Sequence, residues 1–445
     1  MPLTAQSPLY LHFLQNVLLI ALATFLAPLC TLIAISTWII SPYTKMAQQI
    51  RSGFTPYSSS HGRRNELGAT AYIGSLVEVI QKENVDLWIS CSGVASALED
   101  GKVAEAVEKL TSCRVVQFGV EMTGVLHEKH SFIDNTRRIG LNAPETQSIT
   151  CIEEGVEFLH PKSAKTDTQY IMKSVGMDDS IRADMSLLPF SHAEKTKAHL
   201  ATLRPSPSRP FVLQQYIKGP EYCTHSIVIR GCVLAFTCCP SAELLMHYKA
   251  LPPSSSIFKA LLKYTQIYAQ KMGTEMTGHF SIDFLLDHES AEEDLMNKIY
   301  PIECNPRAHT AVILFADQGL QMAEAYLRVL QKEKKSSGYP DIVIPMSTPG
   351  YYWVGHDLVA KFIVPAASFL ALRIQFSELR RNWMEFFEHA KRWRDGTYET
   401  WDPWPFWALY CIYWPGIFFT RICTRRKWSM TADITAFKSE DIGIL

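Results

Sequence analysis

The chain has 445 residues, with 43 basic against 44 acidic side chains and a formal net charge of -1. That balance excludes the bulk electrostatic attraction of a nucleic-acid-binding protein, and the length is ample for two or three domains with full cores. Eleven cysteines lack any C-x-x-C pair or metal-ligand rhythm, so they read as reduced, mostly buried thiols in a cytosolic setting.

No Asp, Glu, Lys or Arg precedes Lys45, and Val17 to Ile40 is an almost unbroken apolar run, long enough to cross a bilayer. A cleaved signal peptide would carry a positive leader and a shorter apolar core. The first basic residues, Lys45, Arg51, Arg63 and Arg64, follow the run, and the positive-inside bias leaves the large domain facing the cytosol. Residues 1–44 are expected to form a transmembrane anchor, the alternative being a buried hydrophobic helix. The Ser-, Gly- and Pro-rich stretch within residues 45–70 reads as a linker.

From Ala71 helix and strand patterns alternate, which implies a parallel sheet over residues 71–125. Ile73, Leu76, Val77 and Ile80 are spaced for one helix face, and Val85 to Ser90 for a short buried strand. Val103, Val107 and Leu110 mark a second helix, and Arg114 to Phe118 a second strand. A helix is expected from about Glu128 to Ile139, ended by Gly140 as its C-cap. The strand at Tyr170 ends in Lys173 beside a loop with one glycine. A lysine so placed can pin a phosphate as a point charge, but with a single glycine the loop by itself reads first as a plain surface turn. Phe211 to Ile217, a Lys218-Gly-Pro turn and the run from Glu221 to Gly231 read as a strand–turn–strand unit. Ile257 to Met272 is a further helix.

In Gly278 to Leu286, Phe280, Ile282, Phe284 and Leu286 alternate with His279, Ser281, Asp283 and Leu285, the pattern of a half-buried strand. The charged run Asp287 to Lys298 reads as a hairpin loop, and Ile299 to Asn305 as the returning strand. Period-two geometry puts Glu303, Asn305 and Arg307 on one face, where Asp283 of the neighbouring strand can join them. Two carboxylates and an amide oxygen suit Mg2+ shared with substrate phosphates, and Arg307 suits phosphate geometry. A surface hairpin with a solvated salt bridge is the other reading of the same residues. A helix from about Gln321 to Lys332 closes this region.

Beyond it the composition changes. All but two of the ten tryptophans fall from Trp353 onward, and Pro403 to Ile422 is aromatic and apolar with basic residues following. Such density suits a membrane interface, and it equally suits an aromatic cap packed on the protein. His225 and His247 read as ordinary polar or core histidines, with no Ser/His/Asp arrangement around them.

In order and spacing these pieces resemble the ATP-grasp superfamily of ATP-dependent ligases, over roughly Ala71 to Lys332. The resemblance rests on His127-Glu-Lys129 opening a helix, Lys173 at a strand end, Gln214-Gln215-Tyr216-Ile217, then Glu221 seven residues after Gln214, and Asp283, Glu303, Asn305 and Arg307. It implies an α/β fold, with an ATP-grasp domain at residues 126–335, a parallel-sheet pre-ATP-grasp domain at 71–125 and an aromatic-rich region at 336–445. By the same resemblance, Lys129 and Lys173 hold phosphates, Gln214, Gln215 and Ile217 line the adenine site, and Glu221 takes the ribose. Asp283, Glu303 and Asn305 would hold Mg2+, with Mn2+ as a substitute, and Arg307 would orient an acyl phosphate. Gln214 stands where Glu is usual, so its amide oxygen is expected to take the adenine amino group. Ser281 stands where many members have an arginine, with His279 a candidate helper.

The implied reaction joins a small-molecule carboxylate to an amine through an acyl phosphate. The apolar leader and Tyr413-Trp414-Pro415 are similar to fungal ATP-grasp proteins of secondary metabolism, which join an amino acid to a small precursor. The expected partners are those substrates and membrane lipid, with a homodimer allowed and no nucleic acid. Tyr351 to Asp357 is a candidate for shaping the acceptor pocket, or a turn on an accessory segment. The competing readings are a carboxylase or carbamoyl-phosphate-like enzyme, for which no biotin-acceptor Met-Lys-Met is present, and a nucleotide-binding membrane scaffold without turnover.

Overall fold

In the computed structural model the described residues are 25, 66–93, 96–163, 168–174, 186–241, 246–288, 294–331, 341–345, 350–399 and 402–423. The apolar run Val17 to Ile40, residues 45–65 of the linker and the loop after Ser174 lie outside them, apart from Phe25. No helix among the described residues is long and apolar enough to cross a membrane. The chain divides into two compact units, residues 62–241 with 250–347, and residues 242–249 with 348–435.

The first unit begins with the helix Glu66–Lys82, strand β1 (Leu87–Ile89), the helix Ala97–Leu110 and β2 (Arg114–Val116). β1 and β2 pair in parallel, Leu87 opposite Arg114. Val103 and Val107 are fully buried, whereas Leu110 is exposed at the helix end. The helix expected at Glu128 to Ile139 is preceded by another, Val120–His127, and the chain restarts as Lys129–Arg138. Gly140 has φ +81, and its N–H donates to Arg137 while Leu141 N–H donates to Thr136. That 5→2 and 6→1 pair is a Schellman closure, which asks for a left-handed residue at that position.

Past β2 the named strands of this unit pair antiparallel, and the further parallel contact among its described residues is a single bridge from Ala235 to Val343. One sheet has the order β3-β5-β4, from β3 (Thr146–Ile149), β4 (Tyr170–Ser174) and β5 (Phe211–Gln215). The other has the order β7-β6-β8-β9, from β6 (Glu221–Ile229), β7 (Cys232–Pro240), β8 (Gly278–Leu286) and β9 (Ile299–Asn305). The strand–turn–strand unit expected around Lys218-Gly-Pro is therefore no hairpin: β5 belongs to the first sheet and β6 to the second. The turn passes so close to the second sheet that a Cβ at Gly219 would run into the carbonyl oxygen of Leu286, whose N–H donates to Pro220 O at 3.0 Å.

The helix Ser256–Met272 starts where Ser255 Oγ accepts from Phe258 N at 3.2 Å. Its Phe258, Leu261, Tyr264, Tyr268 and Ala269 pack on Phe280, Ile282 and Phe284 of β8. Each such aromatic or leucine contributes about 1.5–3 kcal/mol by leaving water. The opposite face of β8 is buried as well: His279 and Ser281 are essentially inaccessible, and Asp283 is 9% exposed. The half-buried strand read from the alternation is thus covered on both sides, one face apolar and the other polar.

In the second unit Tyr351–Tyr352 pairs in parallel with Arg394–Asp395. Between them run a helix from Val354 to Leu370, π-helical over Leu358–Ile363, and the helix Phe376–Arg392. The segment from Trp404 to Cys423 is likewise helical with a π-helical middle, and Phe406 and Tyr410 form a small core with Val354 and Trp414. Leu370, Leu372, Phe376, Met384 and Phe387 remain exposed.

Candidate active site

The register of β8 and β9 sets the geometry. Asp283 lies directly opposite Glu303, and Ser281 opposite Asn305, with an irregularity just past Asp283 that lets Phe284 pair with Pro301. On the other side of β8, the ladder with β6 runs Glu221–Leu285, Tyr222–Phe284 and Cys223–Asp283. Thr224 then intervenes: its hydroxyl donates to Ile282 O at 2.9 Å and accepts from Ile282 N at 2.8 Å. That exchange keeps the strands joined where direct pairing lapses.

Three elements converge on this polar face. From the start of its helix, Lys129 reaches Glu303, Nζ to Oε2 at 2.7 Å. From β4 of the other sheet, Lys173 donates to the Gln214 amide oxygen at 2.8 Å. Asn305 Nδ2 donates to Asp283 Oδ2 at 3.4 Å, while Asp283 Oδ1 is buried without a hydrogen-bond partner. Period two separates the neighbouring glutamines: Gln214 is buried beside Lys173, and Gln215 turns the other way, its amide oxygen accepting from Glu145 N at 3.0 Å. The Gln214 oxygen is thus engaged by lysine rather than standing free for an adenine amino group. The strand ladder ends at Gln215, so it claims neither backbone group of Ile217.

The charges are strongly coupled. Burial, then the nearby Lys129, lowers the Lys173 pKa to about 8, partly opposed by Glu303, Glu221 and Asp283. Burial alone would raise Glu303, but Lys129 outweighs it and holds the carboxyl at about 2. Asp283 is pushed well up by burial and by Glu303 beside it. Of the two carboxyls, the proton belongs on Asp283.

Past β9, Arg307 N–H turns back onto Asn305 O at 2.8 Å, and Arg307 Nε is buried without a partner. Three histidines line this end. His309 N–H donates to His225 Nδ1 at 3.2 Å, which leaves the His225 proton on Nε2, buried and unpartnered. His279 Nε2 lies 2.8 Å from the Tyr326 hydroxyl. Burial lowers all three, His279 to about 4 and His309, with Arg307 adding to the effect, to about 3. They are neutral rings at neutral pH. Of the three, the sequence singles out only His279 as an assistant; His309, two residues past Arg307, carries no pattern of its own.

The donor set fits a hard divalent ion. Its available atoms are oxygens, one of them an orphaned buried carboxylate oxygen, and an ammonium already stands against the other carboxylate. With two lysines and an arginine around it, the face is suited to polyphosphate carrying such an ion.

No protein-family profile matches the chain, and no curated protein matches it in sequence. Among solved structures it is similar to the L-amino acid ligase from Bacillus licheniformis, at 15% identity over 54% of this chain and 53% of that one, with a TM-score of 0.36. It is similar also to N5-carboxyaminoimidazole synthetase from Staphylococcus aureus complexed with ADP, at 14% over 53% and 58%, TM-score 0.38. A third is biotin carboxylase from Campylobacter jejuni, at 13% over 65% and 62%, TM-score 0.44. The chain thus spans less than two thirds of the length of each.

Proposed function

We propose that this protein is an ATP-dependent carboxylate–amine ligase of the ATP-grasp type, using Mg2+. The observation that carries the reading is the convergence of Lys173 from one antiparallel sheet with Lys129, Glu221, Asp283, Glu303 and Asn305 around the other. Lys129 and Lys173 hold the nucleotide phosphates, Ile217 offers its backbone to the adenine, and Glu221 meets the ribose. Asp283, Glu303 and Asn305 would hold the divalent ion, which supplies charge neutralisation as the γ-phosphoryl group moves. The substrate carboxylate oxygen attacks that phosphorus, and ADP leaves. An amine then attacks the acyl carbon of the acyl phosphate and expels inorganic phosphate, giving an amide. Arg307, with its free Nε, orients the acyl phosphate; the neutral His225, His279 and His309 shape the end of the site without adding charge.

The substrates we propose are an amino acid and a small precursor acid in specialised metabolism. The proposed location is a membrane, with Val17 to Ile40 as anchor and the catalytic unit in the cytosol. The exposed Leu370, Leu372, Phe376, Met384 and Phe387 support contact with a lipid surface.

The test is to incubate the full chain in mild detergent with ATP, Mg2+ and a panel of amino acids and carboxylic acids, and to measure ADP and phosphate. ADP and phosphate released only when both acid and amine are present support the reading. AMP with pyrophosphate refutes the acyl phosphate, product formation from bicarbonate alone favours a carboxylase, and nucleotide binding without turnover favours a scaffold. Absence of nucleotide binding removes the assignment altogether.

A further inference from the structure

The second unit contains a cluster that the nucleotide chemistry does not use. His247 Nε2 lies 2.7 Å from Asp357 Oδ1, and His389 Nδ1 lies 2.9 Å from Asp357 Oδ2. The Asp357 side chain is fully buried, and the two imidazole side chains are 13% and 9% exposed. The two rings meet edge to face, centroids 4.6 Å apart, and Trp393 closes over both at 5.4 and 4.5 Å. All three ligand-type atoms lie within 4.8 Å of one another. We propose that these three residues form a zinc site, with His247 Nε2, one Asp357 oxygen and His389 Nδ1 as protein ligands and a water in the fourth position.

Two imidazole nitrogens and a carboxylate oxygen form a donor set suited to Zn2+, and three protein ligands leave room for one more in a tetrahedron. Ligands at about 2.0–2.1 Å from zinc stand roughly 3.3 Å apart in that geometry. Whichever Asp357 oxygen binds, its separation from one imidazole nitrogen, 2.7 Å at Oδ1 or 2.9 Å at Oδ2, needs about half an ångström of widening, and the remaining ligand atoms, within 4.8 Å of one another, close in around the ion. A fully buried carboxylate is costly unless opposite charge neutralises it, and a dication supplies that charge directly. Coordination through Nε2 leaves His247 its Nδ1 proton, and coordination through Nδ1 leaves His389 its Nε2 proton, so both rings bind as neutral ligands.

The ligands come from three places: the segment at 246–249, the helical run from Val354, and the helix Phe376–Arg392. They lie 110 and 32 residues apart in sequence. In a unit whose strands are two residues long, an ion at this point fastens the two helical segments to the short edge containing Tyr248, which pairs with Tyr351. The role is structural, and it stands independently of the proposed nucleotide site.

The test uses the untagged full chain, because a histidine tag brings metal of its own. Zinc is measured by mass spectrometry after dialysis, in wild type, His247→Gln, His389→Gln and Glu303→Gln. Glutamine keeps an N–H donor for Asp357 while removing the imidazole ligand. The expected result is about one zinc per chain in wild type and in Glu303→Gln, falling at least fivefold in both histidine variants. Cobalt exchanged into wild type is expected to give the intense visible bands of four-coordinate N/O ligation, a readout that survives even if a variant fails to fold. Wild type holding under a tenth of an equivalent, before and after exposure to excess zinc, overturns the site in favour of a metal-free hydrogen-bonded triad. Zinc content that Glu303→Gln lowers and the histidine variants do not overturns it in favour of the nucleotide site.

Discussion

Lys173 offers the sharpest test of the proposed nucleotide site. Its pKa is about 8 against the ordinary 10.5, because it is buried beside Lys129. Phosphate oxygens arriving at its ammonium restore the charged form, and the full gap corresponds to roughly 3 kcal/mol. Binding should therefore take up about half a proton at pH 8 and nearly one at pH 9, and affinity should be about tenfold weaker at pH 9 than at pH 7. Asp283, whose carboxyl is pushed up, sheds its proton when an ion loads and would mask this uptake. The assay is accordingly calorimetry of ATP binding in EDTA at high protein concentration, repeated in buffers of different ionisation enthalpy. Gln214→Glu should raise the Lys173 pKa and move the alkaline decline upward. Equal affinity at pH 7 and 9, or no proton uptake at pH 8.5, would refute the placing of Lys173 against phosphate. The same depression acts on folding with a definite sign. Unfolded Lys173 holds its proton up to 10.5, so the empty protein should gain stability as pH rises from about 8 to that value.

Glu303→Gln should reduce phosphate release at least about a thousandfold, because it removes a charged ion ligand whose loss the transition state feels. Its effect on stability should stay within about 1 kcal/mol, since the ion pair with Lys129 is about a third exposed on each side; a melting curve and a phosphate assay separate the two, and a fully active variant would remove Glu303 from the site. Gly219→Ala forces a methyl into the carbonyl of Leu286 and should cost about 1–3 kcal/mol or more in denaturant unfolding. A loss under about 0.5 kcal/mol would mean that the crossing between the sheets is looser than described. Gln214→Leu takes the acceptor from the Lys173 ammonium and should both destabilise by about 1–3 kcal/mol and weaken ATP binding, read by unfolding and by calorimetry.

The site was legible where chemistry follows local period. Glu303 and Asn305 are two residues apart on a strand, and a hairpin partner had to bring Asp283 opposite one of them. The helix Ser256–Met272 was legible for the same reason, as was Gly140 closing the helix Lys129–Arg138. What period cannot express is which sheet a strand joins. Phe211 to Gln215 and Glu221 to Ile229 look like one hairpin, and only their registers with β3, β4 and β8 separate them. Nor does alternation reveal that the polar face of β8 is buried, because a buried polar face and a wet one use the same letters. His247 reads as an ordinary histidine and no pattern singles out His389, since the contact that makes them a pair runs through Asp357, 110 residues from one and 32 from the other.

The Lys129–Glu303 ion pair has a consequence for how the site fills. On the proposed reading each member is paired with the other's competitor: the Lys129 ammonium stands against the carboxylate that would hold the ion, and the Glu303 carboxylate against the ammonium that would meet phosphate. A free magnesium ion approaching Glu303 must first displace an ammonium that then has no anion to receive it. A free nucleotide that captures Lys129 strands the carboxylate beside its own negative charge. Only when both arrive together are all four charges matched, and the coupling is reciprocal by thermodynamic necessity. On the proposed reading the pair therefore weakens the binding of magnesium alone and of bare nucleotide alike, relative to that of their complex.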